Sequence, residues 1–179
     1  DYEPEIEDGG NDNVPEIIQG QVSFQNFSYA FPGAQEAAVE GVDIEVKSGE
    51  IIAFMGRVGS GKSTIFKSLV RLLDPPAATV FIDGRDVRDY PLKQLRAQVA
   101  LIPQDAFLFS DSIRENITYD DPSRTDVPVW EAAEASQLAD TIREFPKELQ
   151  TIVGERGITL SGGQKQRATL SRGLIREAS

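Results

Sequence analysis

Apolar and polar residues alternate in two stretches near the start of the chain. In residues 22–31 the alternation slips by one position at Gln25-Asn26, and in residues 42–46 it runs into a polar turn. Successive side chains of a strand point to opposite faces of the sheet, so both stretches predict half-buried strands. We expect them to form an antiparallel piece of the fold.

Two shorter runs are apolar throughout. Residues 51–55 and 99–102 contain no charged side chain, which is typical of strands buried on both faces of a parallel sheet. Residues 79–82 predict a further short strand that runs into Asp83-Gly84.

Helical spacing of apolar residues appears between and after these runs. Pro75-Pro76 ends the first helix and Pro146 ends the fifth, because proline cannot continue a helix. Strands that alternate with helices predict an α/β domain with a largely parallel core. The predicted helices cover residues 65–73, about 92–95, 112–117 (opened by Ser112 and Glu115 at capping-box spacing), 129–135, 138–145 and 162–176.

The composition excludes several kinds of site. The chain has 179 residues, a formal net charge of −11, and neither cysteine nor histidine. Without cysteine there are no disulfides or thiolate metal sites, and without histidine there is no Ser-His nucleophile and no histidine general base. The negative charge argues against nucleic-acid binding, which needs clustered Lys and Arg.

The first twenty residues differ from the rest of the chain. Residues 1–20 are acidic, contain two prolines and a Gly-Gly pair, and show no sustained periodicity. They predict a linker or tail before one domain over residues 21–179, and a solvated terminus without a role fits equally well. The only methionine is Met55, so we expect the chain to begin inside a longer protein.

A glycine-rich segment lies between the apolar run 51–55 and the first predicted helix. Its glycines let the backbone turn its N–H groups toward an anion, and the helix N-terminus adds a partial positive charge. Lys62 would reach the β- and γ-phosphates and the Ser63 hydroxyl would coordinate Mg²⁺, whereas the alternative is a glycine-rich turn with a surface lysine. The spacing predicts a phosphate-binding loop formed by Gly56, Arg57, Val58, Gly59, Ser60, Gly61, Lys62, Ser63 and Thr64.

A second glycine-containing segment opens the last predicted helix. Its serine and glutamine stand at capping-box spacing, and its two glycines leave backbone N–H groups uncovered at the helix start. Such a site can bind an anion, but an ordinary helix N-cap is the alternative. The segment consists of Leu160, Ser161, Gly162, Gly163 and Gln164.

These residues resemble a known family. Residues 160–164 match, letter for letter, the signature motif of ATP-binding cassette (ABC) transporter ATPases, and the phosphate-binding loop lies at the usual separation from it. The chain therefore resembles the nucleotide-binding domain of an ABC exporter. The resemblance implies an α/β fold: a P-loop NTPase core with a mostly parallel sheet, an N-terminal antiparallel β piece and a helical insertion at about residues 105–172. Residues 1–20 resemble the linker that follows a transmembrane domain in these exporters.

Three further positions resemble motifs of the same family. Tyr29 resembles the A-loop aromatic that stacks on adenine, with a core strand aromatic as the alternative. Gln104 resembles the Q-loop glutamine, which touches Mg²⁺ and faces the transmembrane partner, with an ordinary polar loop residue as the alternative. Residues 153–157 resemble the X-loop near the membrane domain, although Glu155 and Arg156 could instead form a solvated charge pair.

The resemblance implies that the protein binds and hydrolyses ATP, with Mg²⁺, to power transmembrane transport. In the family two such domains pair head to tail, so that Ser161 and Gly163 of one hold the γ-phosphate bound by Lys62 of the other. The implied partners are a second nucleotide-binding domain and the transmembrane domains, with no nucleic acid. The implied location is the cytoplasmic face of a membrane, and the membrane domain selects the transported substrate.

The family also needs an acidic Mg²⁺ ligand and a catalytic glutamate on a strand after the signature helix. The sequence reaches Ser179 before such a strand, so we expect a C-terminally truncated domain that alone binds nucleotide weakly and hydrolyses it negligibly. Asp83 also follows an apolar run, but Asp-Gly is a strong hairpin-turn signal, and Asp105 is no better placed.

Two other functions are compatible with these residues. One is a degenerate half of a heterodimeric exporter, which binds ATP without hydrolysing it; the intact signature weighs against it. The other is a soluble ABC ATPase of DNA repair or of ribosomes, which Tyr29, the X-loop resemblance and the acidic residues 1–20 disfavour.

Overall fold

The computed structural model of the chain describes residues 6, 8, 14–154 and 157–176. It divides into two compact units, the first up to Leu101 and the second from Ile102. The first unit contains strands β1 (Val22–Tyr29), β2 (Val39–Val46), β3 (Val80–Ile82) and β4 (Arg85–Asp86) and helices α1 (Lys62–Leu69) and α2 (Leu92–Gln98). The second contains helices α3 (Ile113–Ile117), α4 (Asp126–Ala135), α5 (Ala139–Arg143) and α6 (Gly162–Leu174). Short 3₁₀ turns cover Val87–Asp89 and Glu148–Gln150.

The four strands form one sheet in the order β2-β1-β3-β4, with every neighbouring pair antiparallel. The prediction of an N-terminal antiparallel piece is therefore confirmed. The predicted slip is also present, because the β1–β2 register shifts between Phe24 and Phe27. Asn26 adopts a positive φ of 45° there, and its N–H donates to Asp43 Oδ1 at 2.7 Å. The bulge turns both Phe24 and Phe27 into the core of the first unit.

Asp83 and Gly84 form the turn between β3 and β4. Both have positive φ, 50° and 74°, as a two-residue hairpin turn requires. The Asp83 carboxylate accepts hydrogen bonds from the N–H groups of Gln19 at 2.6 Å and Gln21 at 2.9 Å. The turn interpretation of Asp83 is confirmed, and its carboxylate is occupied by the backbone.

Residues 14–20 lie along the first unit and make specific contacts with it. Ile18 is 2% exposed and belongs to the core. The Gln98 amide holds the segment at two points, accepting from Ile18 N at 2.7 Å and donating to Glu16 O at 2.7 Å. The Gln94 amide donates to Pro15 O at 2.5 Å. Part of the predicted linker is thus docked on α2, a contact that its composition did not indicate.

Two predicted strands are not present among the described residues. Residues 51–55 and 99–102 carry no strand assignment, and Ile51 and Met55 are 96% and 93% exposed. A strand buried on both faces needs a neighbour on each side for its N–H and C=O groups. In the described sheet no strand pairs with either segment, so apolar composition alone does not make them strands. The mostly parallel sheet is therefore not found among the described strands.

Helix α1 ends four residues earlier than its apolar pattern predicts. Arg71 takes a positive φ of 48° just beyond the helix end, and the N–H groups of Leu72 and Leu73 turn back to the carbonyl of Lys67. This left-handed residue satisfies carbonyls of the last helical turn. The buried Arg71 guanidinium is held by Asp74 at 2.9 Å, which fixes the turn.

The second unit is built around its own apolar core. The predicted cap of α3 is confirmed, because Ser112 Oγ accepts from Glu115 N at 3.0 Å. Helix α4 begins three residues earlier than predicted and α5 ends two residues earlier. In the described ranges, every helix falls short of the length and apolarity that crossing a bilayer requires. The buried residues include Ile113, Ile117, Val129, Leu138, Ile142, Val153, Leu160, Ala168 and Ile175.

Candidate functional site

The predicted phosphate-binding loop lies between residues 51–55 and helix α1, on the surface of the first unit. Gly61 is the N-cap of α1, with φ 81° and ψ 3°, and Gly59 also has a positive φ, 84°. Only glycine enters this left-handed region at little cost. The loop therefore has two left-handed residues within three positions, and its residues 56–60 are exposed ahead of the helix.

Lys62 lies across the loop. Its Nζ donates to Gly56 O at 2.8 Å, Arg57 O at 2.7 Å and Ser60 Oγ at 3.2 Å. The cation thus occupies the centre of the loop, bound to neutral acceptors of its own backbone. An ammonium group forms stronger, charge-assisted hydrogen bonds with phosphate oxygens than with these neutral acceptors.

The first turn of α1 offers the complementary donors. The N–H groups of Lys62 and Ser63 have no hydrogen-bond acceptor among the described residues, as expected for the first N–H groups of a helix, and the N–H of Gly59 in the preceding loop likewise has none there. Together with the positive helix terminus and Lys62, they form a concentration of donors and positive charge suited to phosphate. The residues present therefore fit phosphate groups.

Close packing leaves no room for a side chain at Gly61 and little at Gly56. A Cβ on Gly61 would lie 2.4 Å from Val39 Cγ2 and 2.5 Å from Ala38 O, and one on Gly56 would lie 2.7 Å from Ser60 Oγ. The loop is thus pressed against the start of β2. This contact fixes where the loop lies relative to the sheet.

Tyr29 is placed next to this contact by strand pairing. It is the last residue of β1, it lies opposite Val39, and its carbonyl accepts from Ala38 N at 2.7 Å. Its half-buried ring packs on the core of the first unit and meets the Phe31 ring edge-on at 5.3 Å. The structure therefore brings Tyr29 and the phosphate-binding loop together through Val39, and leaves part of the ring accessible.

The signature residues open helix α6 in the second unit. Leu160 is buried in the core, and Ser161 and Gln164 form a complete capping box: Ser161 N donates to Gln164 Oε1 at 2.8 Å and Gln164 N donates to Ser161 Oγ at 3.3 Å. Gly162 and Gly163 are exposed, and a Cβ on either would meet nothing within 4 Å. The cap prediction is confirmed, and the cap leaves the glycine N–H groups facing solvent.

The remaining predicted site residues also belong to the second unit. Gln104 is exposed in a bend, next to the equally exposed Asp105. Of residues 153–157, Val153 is buried and pairs with Ile158, while Gly154 packs closely on Ser110 with φ 94°. The predicted Glu155 and Arg156 lie outside the described residues. The loop is thus anchored at both ends.

The sequence patterns did not predict the cluster of residues around Arg172. Arg172 on α6 donates to Asn116 O at 2.7 Å and to Phe107 O at 3.2 Å, and its guanidinium lies 5.8 Å from the ring centres of Phe109 and Tyr119. Arg172 follows the buried Ala168 by four positions, which places both residues on one face of α6. This spacing was the signal in the sequence that could have indicated the cluster.

A family model described as "ABC transporter" matches residues 39–179. The chain belongs to the ABC transporter family. The match begins at Val39, the residue that packs against the phosphate-binding loop, and it includes the loop, Gln104 and the signature residues. The ABC fold, a P-loop NTPase fold with an antiparallel N-terminal sheet, therefore agrees with the strands and helices described above.

Two relatives and one solved structure are similar to this ABC domain over most of the chain. The chain is 40% identical over 175 residues to the ATP-dependent lipid A-core flippase of Photobacterium profundum, covering 96% of the chain and 29% of the flippase. It is 40% identical over 157 residues to ABC transporter B family member 24, mitochondrial, of Arabidopsis thaliana, covering 88% and 23%. It matches the structure of a bacterial Atm1-family ABC exporter with ATP bound at a TM-score of 0.86 and 35% identity, covering 97% and 31%. The chain thus spans less than a third of these relatives.

Proposed function

We propose that this chain is the ATP-binding and ATP-hydrolysing domain of an exporter, and that it powers transmembrane transport as part of a longer protein. The observation that carries the proposal is Lys62, whose Nζ is held over the loop by Gly56 O and Arg57 O beside the free N–H groups of α1. The family match and the ATP-bound exporter structure of similar fold support it.

ATP binding follows from the exchange of acceptors at Lys62. The Nζ gives up the neutral carbonyls of Gly56 and Arg57 for the charged β- and γ-phosphates, while the N–H groups at the start of α1 donate to phosphate oxygens. Tyr29 supplies a partly exposed aromatic face beside the same loop, on which the adenine stacks. The nucleotide is then held at its two ends by the first unit.

We infer that Mg²⁺ binds together with the nucleotide. Ser63 presents an exposed hydroxyl at the start of α1, an oxygen ligand of the kind that Mg²⁺ accepts beside phosphates. Gln104, in the second unit, carries an exposed amide oxygen, which is also a ligand type that Mg²⁺ accepts. When bound, Mg²⁺ neutralises charge on the transferring phosphoryl group. The residues of this chain orient the phosphates and contribute ligands.

The signature residues act on a nucleotide held by a second domain of the same kind. Ser161 carries a hydroxyl and Gly163 an uncovered N–H at the start of α6, both exposed in the second unit. A phosphate accepts from both groups, and the helix terminus favours its charge. Two copies pairing head to tail would each complete the other's site, either as a homodimer or as a heterodimer.

The transmembrane domains are the second proposed partner. Gln104 and the anchored loop of residues 153–157 lie in the second unit together with the aromatic residues Phe107 and Tyr119, which are 63% and 60% exposed. Exposed aromatic side chains close together are typical of a protein interface. We place this surface against the membrane domains, at the cytoplasmic face of the membrane.

Residues 51–55 support a further structural proposal. Ile51 and Met55 are almost fully exposed, and a globular domain normally covers such side chains. We place this segment in a mostly parallel sheet of the longer protein, within a domain over residues 21–179 that has its helical part at about residues 105–172. Slow hydrogen exchange of residues 51–55 in the full-length protein would support this arrangement, and fast exchange would contradict it.

ATP hydrolysis by the full-length protein tests the proposed function. Lys62→Ala removes the ammonium group that binds the phosphates, and we expect hydrolysis to fall by about 100-fold or more. Lys67→Ala is the matched control, because Lys67 is an exposed lysine on the same helix α1. We expect it to leave hydrolysis unchanged.

Either of two results would overturn the proposal. Activity that survives Lys62→Ala would show that this loop does not support hydrolysis. An equal loss in Lys62→Ala and Lys67→Ala would show that α1 is merely sensitive to substitution.

A further inference from the structure

Arg172, on α6, joins three segments of the second unit through its side chain. Its guanidinium donates to Asn116 O at 2.7 Å, Asn116 Oδ1 at 3.1 Å and Phe107 O at 3.2 Å. Burial lowers the pKa of Arg172 from its ordinary value, although the hydroxyl of Tyr119 acts in the opposite direction. A partly buried cation is stable when its donors have partners, and here three of the five N–H donors of the guanidinium are bound.

Asn116 extends these contacts to the segment that follows Gln104. It is 1% exposed, its Oδ1 accepts from Phe109 N at 2.8 Å, and its Nδ2 donates to Phe109 O at 3.0 Å and Ser112 O at 2.9 Å. The amide therefore pairs with both backbone groups of Phe109. Arg172 therefore contacts the backbone of residues 107–109 directly at Phe107 and, through Asn116, at Phe109.

The exposed aromatic rings of this region lie beside the guanidinium of Arg172. Phe109 and Tyr119 stack at 4.9 Å, Phe107 meets Phe109 edge-on at 5.0 Å, and Arg172 lies 5.8 Å from the centres of the stacked pair. A cation at the face of an aromatic ring is attracted to it, most strongly when it is partly desolvated. The positions of the three rings thus depend on Arg172.

Arg172 belongs to the helix that begins at the signature residues. Ser161 caps α6 about three turns earlier, roughly 16 Å along the helix axis. The contacts of Arg172 and the cap at Ser161 are therefore joined by one continuous helix, with no loop between them.

We propose that Arg172 is a positioning residue that couples the segment of residues 107–109 to the signature end of α6. The inference rests on the proposed function, because it assigns the coupled end a role in hydrolysis. In this arrangement a displacement acts first on Asn116 and the rings, and Ser161 moves in response. Loss of the guanidinium uncouples the two ends while leaving the phosphate-binding loop of the first unit intact.

Hydrogen exchange in the full-length protein tests the connection itself. Arg172→Gln removes the charge and the forked donors, and Arg172→Lys keeps the charge but cannot reach Asn116 and Phe107 together. We expect exchange at residues 107–111 to accelerate about fivefold or more in Arg172→Gln, and by less in Arg172→Lys. Arg143→Gln is the matched control, since Arg143 also lies over a ring, Trp130, at 5.3 Å and donates to Asp140. Its exchange at residues 107–111 should match the unaltered protein.

Steady-state kinetics separate positioning from a purely structural role. We expect Arg172→Gln to lower the kcat of ATP hydrolysis about tenfold, to leave the KM for ATP within about twofold, and to have a smaller effect as Arg172→Lys. Faster exchange with an unchanged kcat would overturn the proposal, because the contact would then be structural only. Unchanged exchange in both Arg172 variants would overturn it as well. If the unaltered protein has no Lys62-dependent hydrolysis, the proposed function fails, and the positioning role fails with it.

Discussion

Val39 occupies the space that a side chain on Gly61 would need. The Cγ2 atom of Val39 lies 2.4 Å from the position of an added Cβ, and the backbone oxygen of Ala38 lies 2.5 Å from it. Because one of these atoms is backbone, the contact cannot be relieved by a rotamer change. The start of strand β2 therefore sets the position of the phosphate-binding loop.

Gly61→Ala is expected to displace the loop and to weaken nucleotide binding strongly. The substitution combines overpacking with a left-handed backbone, φ 81°, at a total cost of about 2–4 kcal/mol. Gly59→Ala is the matched control, because it has φ 84° but no neighbour within 4 Å, and should cost about 1–2 kcal/mol. The unfolding midpoint and the ATP affinity of the full-length variants check this. Equal effects of the two would argue against the role of Val39.

Ser161 combines two roles that substitution can separate. Ser161→Ala removes the cap that receives Gln164 N and should cost about 1 kcal/mol of stability. Ser161→Asp restores an N-cap and suits the helix terminus, so the unfolding midpoint should recover. Its negative charge should repel a γ-phosphate, and ATP hydrolysis should stay low. Recovery of hydrolysis in Ser161→Asp would show that the serine acts only as a cap.

We predict that the folded protein loses stability at alkaline pH because of Tyr90. Burial raises the pKa of Tyr90, with a smaller contribution from Asp83, and its hydroxyl donates to Ile82 O at 3.0 Å. The unfolded chain ionises at about pH 10, whereas the folded chain keeps the phenol neutral to higher pH. The stabilisation is thus complete below about pH 10 and decreases as pH rises toward the folded pKa.

Chemical unfolding of the full-length protein between neutral and alkaline pH measures this effect. Tyr90→Phe should lower the free energy of unfolding by about 1 kcal/mol at neutral pH, since it loses a buried hydrogen bond. It should also flatten the decline above about pH 10. Tyr119→Phe is the control, because its ring is 60% exposed and it should leave the alkaline decline in place.

Local signals predicted much of this fold. The bulge at Asn26, the Asp83-Gly84 turn, and the caps at Ser112 and Ser161 were all predicted from neighbouring residues, and all are present. Each depends on backbone chemistry within a few positions, such as a positive φ or a side-chain oxygen at a helix start. Such features are fixed by the residues that form them.

Signals that depend on distant partners were less informative. Residues 51–55 are apolar enough for a central strand, yet a strand needs hydrogen-bonding neighbours that composition does not specify. In the same way, the Arg71 guanidinium just beyond the end of α1 is buried and donates to the carbonyl of Arg88, 17 positions further along the chain. The site residues themselves were found by motif, while Arg172 and Asn116 form a cluster from positions far apart in sequence.

The docking of residues 15–20 depends on main-chain atoms. Gln94, Gln98 and Asp83 bind carbonyl and N–H groups of the segment, and among its side chains only that of Ile18 is buried. Carbonyl and N–H groups are nearly the same whichever residue carries them. The segment can therefore change its sequence extensively, in evolution or by design, and keep its path along the domain, provided that an aliphatic side chain remains at position 18 and glycine at position 20, where φ is 88°.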